Sequence, residues 1–152
     1  MELILWRHAE AVDGFPDHER SLTAKGVRQA RHMAAFLSPQ LPTDTRILVS
    51  PAVRAQQTAS ALTSKFSTVE AIGVGASPQS VLSAADWPHE KGTTLLVGHQ
   101  PWLGEVAALL MTGHAAYWSV KKGSIWWLAQ RAHDGSHQTT LRLVITPEHL
   151  QT

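Results

Sequence analysis

Three short runs of uninterrupted apolar residues, at 3–6, 47–49 and 95–97, each stop beside polar residues, and they constrain the fold of this chain more than any other feature. A strand covered on one face alternates apolar and polar side chains. A run with no polar position describes a strand covered on both faces, as in a parallel sheet with helices above and below it.

Between these runs the periodicity changes to that of helices. After a loop carrying Asp13, Gly14, Pro16 and Asp17, Thr23 is placed to cap a helix with Val27, Ala30, Ala34 and Leu37 on its apolar face. Pro39 and Pro42 close that helix. Ser50-Pro51 offers an N-cap followed by proline at the first helical position, and Ala55, Ala59, Leu62 and Phe66 give the second helix its apolar face. A weaker strand over 68–72 and a short helix over 79–85 follow. Pro101 then opens a helix carrying Leu103, Val106 and Leu110 on one side. Two strands, 124–129 and 141–145, end the chain, with HDGSHQ at 133–138 expected as the hairpin loop between them. Strands alternating with helices predict an α/β fold, a three-layer sandwich whose mostly parallel central sheet is flanked by helices, with an antiparallel pair at the C-terminal end. No linker, repeat or low-complexity tract divides residues 1–152, so a single domain is expected.

Composition removes several classes of function. Apolar residues are 43% of the chain and charged residues 16%, a globular balance rather than that of a disordered chain. A net charge of +1, with Lys and Arg scattered, provides no track for a nucleic-acid backbone. The absence of cysteine excludes disulfides, thiolate metal sites and a thiolate nucleophile. The N-terminus has no basic leader, and its apolar stretch falls far short of the about 20 residues a membrane span needs, so a cytoplasmic location without membrane association is expected. Most of the nine histidines stand singly in polar stretches and read as solvated. His133 and His137 share a hairpin with Gly135 and read the same way, rather than as a metal pair. The GVG at 73–75 reads as a turn, and the six tryptophans as core and sheet-face residues, with Trp102 a candidate wall for a pocket at His99.

In sheets of this kind ligands bind outside the carboxyl ends of the strands. Here those ends carry Arg7-His8, then Ser50-Pro51 with Arg54 in the following helical turn, then Gly98-His99. Two guanidinium groups, two imidazoles and a helix N-terminus in one crevice describe a phosphate site. Arginine's forked donors match phosphate oxygens, and charge-assisted bonds are roughly twice as strong as neutral ones. Neutral imidazole adds a nucleophile. His8 is the candidate to attack phosphorus through one ring nitrogen while the other donates to a backbone carbonyl, forming a phosphohistidine intermediate that then hydrolyses. Arg7, Arg54 and His99 would carry the charge that spreads over the equatorial oxygens in the transition state. No carboxylate cluster suited to Mg²⁺ and no GxxxxGK[ST] segment occurs, so neither metal nor other cofactor is expected.

LWRHAEA, LVSPAVRAQQTA and LLVGHQPWL resemble, in order and spacing, the three signature segments of the histidine phosphatase superfamily, whose fold is that of the phosphoglycerate mutases. With RSLTAKGVRQA and KKGSIWW they are similar to the short SixA-type phosphohistidine phosphatases, over most of the chain. The resemblance implies His8 as nucleophile, Arg7 and Arg54 as phosphate ligands, His99 as the second pocket histidine and Arg20 as a further phosphate contact. The family's common motif has glycine where this chain has Ala9. Larger members carry an inserted helical subdomain and a carboxylic acid that protonates the leaving oxygen; this chain is too short for the insertion, and neither Glu10 nor Asp13 matches the acid's usual position. An alkoxide leaving group gains ~10²–10⁴-fold from a positioned acid, and an imidazole needs far less help. The expected substrate is therefore phosphohistidine on a phosphotransfer or phosphocarrier protein. The alternatives are a phosphatase of a small phosphorylated metabolite and a non-catalytic phosphate-binding module.

Overall fold

The computed structural model describes residues 1–133 and 136–150, and at 132–137 only the backbone of the strand ends. Six strands make one sheet: β1 (Glu2–Arg7), β2 (Arg46–Val49), β3 (Ser67–Thr68), β4 (Thr93–Gly98), β5 (Ile125–His133) and β6 (Ser136–Ile145), in the order β3-β2-β4-β1-β5-β6. β3, β2, β4 and β1 run parallel, and β5 and β6 add an antiparallel pair beside β1.

Four helices cover the faces: α1 (Ala24–Leu37), α2 (Val53–Ser60), α3 (Pro78–Ala84) and α4 (Trp102–Thr112). The apolar runs serve both layers because neighbouring side chains on a strand point to opposite faces. Ile4 and Trp6 pack with Met33, Ala34 and Leu37 of α1 and Ala55 and Ala59 of α2. Leu3 and Leu5 pack with Val81 of α3 and with Leu103, Val106 and Ala107 of α4. Each leucine, isoleucine, valine or methionine among them taken fully out of water contributes about 1.5–3 kcal/mol before entropy is counted.

Local chemistry sets the helix ends. Thr23 caps α1 as its sequence suggests, its side chain accepting from the Gly26 backbone N–H, and α4 ends at Gly113 in the left-handed region at φ 85°. Other expectations are corrected. Ser50-Pro51 does not cap α2, which starts at Val53 after Ala52. α2 also ends at Ser60, so Leu62 and Phe66 reach the same cluster from the segment beyond it. The strand expected over 68–72 pairs only through Ser67 and Thr68; Glu70–Ile72 turns into a 3₁₀ helix that buries Ile72. The hairpin strands run beyond their apolar segments, to His133 and from Ser136, so the loop is shorter than 133–138; residues 134–135 and the side chains of His133 and His137 lie outside the described residues. Trp6, Trp102 and Trp127 are buried. Among the described residues no helix is long and apolar enough to cross a membrane.

Candidate active site

Register brings the site together. Arg7 pairs with Gly98 across β1 and β4, and Val49 with Val97 across β2 and β4, so the three strand ends stand side by side. Backbone bonding continues one residue further: the His8 N–H donates to the Gly98 carbonyl at 3.0 Å and the Ser50 N–H to the Val97 carbonyl at 3.0 Å. His8, Ser50 and His99 therefore project from one edge. Arg54 joins them from the second residue of α2.

A cavity of about 250 Å³ opens there, lined by Arg7, His8, Arg20, Arg54, His99 and Lys122 together with Ala11, Asp13, Val74 and Gln100. All four strand-end and helix residues singled out in the sequence meet in it, and Arg20 reaches its rim. Trp102 does not. It is fully buried beneath the strand end, where a methyl on Gly98 would lie 1.9 Å from its ring, and its indole N–H donates to the Gly73 carbonyl at 3.2 Å.

His8 is 6% exposed, and its Nδ1 lies 2.8 Å from the Ala9 carbonyl oxygen. A carbonyl only accepts, so Nδ1 carries the ring proton and Nε2 presents its lone pair. Arg54 Nε donates to that lone pair at 3.3 Å. Burial first, opposed by the Ala9 hydrogen bond and reinforced by Arg54, Arg7 and Arg20, lowers the His8 pKa to about 4. The imidazole is thus neutral at pH 7. The Ala9 methyl, where the family motif has glycine, packs against Leu22 and Ala30, and the Ala9 N–H donates to Thr58 Oγ1 at 3.0 Å.

His99 is 2% exposed, with its ring centroid 5.2 Å from that of His8. Its pKa is lowered to about 3, by burial first and then by the charges of His8 and Arg54. Nε2 lies 2.6 Å from Ser50 Oγ, which already accepts from the Ala52 N–H at 3.2 Å. A hydroxyl oxygen can accept twice, but its proton has no other acceptor among the described residues, so the hydroxyl donates to Nε2 and the ring proton sits on Nδ1, a buried atom with no protein partner. Arg7 Nε is likewise buried without a partner, while its Nη1 donates to the Val120 carbonyl at 2.7 Å. Burial and the adjacent Arg54 lower the Arg7 pKa from the ordinary arginine value. Unpaired buried donors beside two crowded guanidinium groups suit an anion.

Sequence reading missed the residues that orient this set. Asp17, on a 3₁₀ turn in the loop after β1, holds the outer edge of Arg54: Nη1 donates to its carbonyl at 2.8 Å and Nη2 to its carboxylate at 3.0 Å. Its other oxygen accepts from Arg20 Nε at 3.1 Å. Burial opposes ionisation of Asp17, but the hydrogen bond and charge of Arg54, followed by those of Arg20, outweigh it and hold the pKa below the usual carboxylate value. Ser50 reads in sequence as a cap and serves His99 instead. Among the described residues, no three His, Cys, Asp or Glu side chains gather as a metal site.

The family model of the histidine phosphatase superfamily (branch 1) matches residues 3–73. A phosphohistidine phosphatase SixA homolog from Haemophilus influenzae is 34% identical over 126 residues, which are 72% of this chain and 77% of that protein. The chain belongs to the histidine phosphatase superfamily. Within this superfamily, the phosphohistidine phosphatase SixA of Escherichia coli is 41% identical over 59 residues, 38% of this chain and 37% of that one. A solved structure of the protein histidine phosphatase SixA complexed with tungstate superposes with a TM-score of 0.83 at 25% identity, covering 99% of this chain and 100% of the other. Similarity to SixA and membership of the superfamily support a phosphatase.

Proposed function

We propose that this superfamily member is a metal-independent phosphohistidine phosphatase in which His8 is the nucleophile and Arg7, Arg54 and His99 bind the phosphoryl group. The observation that carries this reading is the fixed tautomer of His8, whose Nδ1 is engaged at 2.8 Å by the Ala9 carbonyl and whose neutral Nε2 faces the arginine-lined cavity. The Arg54 Nε–H that occupies the Nε2 lone pair at 3.3 Å turns to a phosphoryl oxygen, and Nε2 then attacks phosphorus as the bond to the leaving group breaks. Arg7, Arg54 and His99 Nδ1–H take the charge on the equatorial oxygens, with Arg20 at the rim. Water then attacks the phosphorus of the His8 adduct, releasing inorganic phosphate and restoring the imidazole. Tungstate in the SixA structure is a tetrahedral oxyanion like phosphate, in keeping with such a pocket. The partner in this reading is a histidine-phosphorylated phosphotransfer or phosphocarrier protein.

A small phosphorylated metabolite is the second reading, favoured by a recess of about 520 Å³ lined by Asp17, His18, Ser50, Glu70 and Val74 beside the catalytic cavity. One assay separates them: phosphate release from a histidine-phosphorylated phosphotransfer protein and from small phosphate esters, with chelator present and His8→Ala as control. Chelator-resistant, His8-dependent release from the protein, with poor turnover of esters, is the expected result. Release from esters alone moves the assignment to metabolites, and release that survives His8→Ala removes His8 as nucleophile.

A further inference from the structure

The rim of the catalytic cavity holds a carboxylate for which the binding of phosphate has no use. Two acidic residues follow the nucleophile closely in sequence, and they are placed differently. Glu10 belongs to the start of α1, where its Oε2 accepts from Thr23 Oγ1 at 2.8 Å. Asp13 is exposed and lines the cavity together with His8 and His99. Among the described residues its carboxylate takes part in no ion pair. The charged and titratable groups facing it around that cavity are Arg7, His8, Arg20, Arg54, His99 and Lys122. Three of them already have partners: Arg54 and Arg20 bond to Asp17, and Arg7 to the Val120 carbonyl. A phosphoryl dianion on Arg7 and Arg54 would neutralise the charge beneath Asp13. What stays at the mouth, where a leaving group must sit, is the Asp13 carboxylate, with Lys122 as the one lining cation that neither a protein partner nor the phosphoryl group on Arg7 and Arg54 engages among the described residues.

We propose that Asp13 selects the leaving group, its carboxylate holding the departing imidazole of phosphohistidine in the protonated form. The inference rests on the phosphohistidine reading above and gives that site its chemical preference. In a protonated phosphoimidazole one ring nitrogen bears phosphorus and the other a proton. His8 Nε2 forms its bond to phosphorus, the substrate P–N bond breaks, and the electron pair of that bond returns to the ring nitrogen. The ring leaves as neutral imidazole, keeping its own proton on the distal nitrogen, and no side chain has to donate one. Without that proton it would leave as imidazolide, a much stronger base. A carboxylate accepting from the distal N–H favours the charged ring. The same carboxylate repels the negative charge that grows on the leaving oxygen of an ester, so one group improves one substrate class and penalises the other.

Asp13→Asn keeps the size and removes the charge. The probes are phosphoimidazole, a histidine-phosphorylated phosphotransfer protein, and an aryl phosphate whose phenolate leaves without a proton. Each pKa unit lost by the bound ring is a tenfold loss of its protonated form above that pKa. The ratio of kcat/KM for phosphoimidazole to that for aryl phosphate is therefore expected to fall about tenfold. The alkaline limb of the phosphoimidazole profile should move to lower pH, and Asp13→Glu should restore part of both effects. An unchanged ratio with an unmoved alkaline limb would overturn the proposal. An equal loss on all three substrates would overturn it too, by showing damage to the phosphate pocket instead. If the unaltered protein releases phosphate from esters alone, the phosphohistidine reading itself has failed and this inference falls with it.

Discussion

Arg54 is held on two edges, by His8 Nε2 at 3.3 Å on one side and by the Asp17 carbonyl and carboxylate on the other. Only a planar fork bonds in both directions at once; an ammonium group supplies the charge without the geometry. A charge-assisted hydrogen bond contributes about 1.5–3 kcal/mol, so Arg54→Lys is expected to lower kcat/KM by roughly 10- to 100-fold. Steady-state kinetics on an aryl phosphate would measure this. A variant within twofold of the unaltered protein would show that charge alone suffices. Arg54 was legible in sequence because it stands in the first turn after a strand end. Its brace was not, since Asp17 lies 37 positions away in a loop with no periodicity to place it.

Elements hold these residues in place, and one tight joint is between β4 and α4. Gly98 ends β4, and a Cβ there would lie 1.9 Å from one atom of the Trp102 ring and 2.5 Å from another. The indole is fixed by its bond to Gly73 and by complete burial, so the strand end would have to move. Gly98→Ala is expected to cost about 1–3 kcal/mol, read as a lower thermal midpoint. Activity should fall further than stability, because His99 is the next residue. A midpoint within a degree of the unaltered protein would show that Trp102 can give way. The helix-forming segments were legible from their 3.6-residue period, whereas the start of α2 was misplaced. A serine before a proline satisfies every local rule for a cap, and only the neighbouring strand offers its hydroxyl a better partner in His99.

For the molecule as a whole, the site has a pH-dependent cost. His8 and His99 have pKa values lowered to about 4 and about 3, while in the unfolded chain both titrate near 6.5. Between those limits the unfolded state binds protons that the folded state refuses, so stability is complete above about pH 6.5 and falls as the pH drops towards 3. Together the two residues should account for a loss on the order of a few kcal/mol. Urea unfolding at pH 7, 5 and 4 would measure it. The double variant His8→Asn, His99→Gln is expected to show a visibly flatter dependence. Equal slopes in the two proteins would mean that neither imidazole is kept neutral by the fold.

Sequence alone determined the class of fold and the four strand-end and helix residues of the candidate site. Continuous apolar runs can be buried only between two layers, and polar residues at the ends of such runs must emerge at the carboxyl edge of the sheet. These are local properties, carried by neighbours along the chain. The strand order, which inserts β4 between β1 and β2, was decided only by tertiary structure. So were the His99 tautomer through Ser50, the orientation of Arg54 through Asp17, and the different placements of Glu10 and Asp13. Each depends on a contact between segments far apart in sequence, where a side chain's role is set by the group across from it in space.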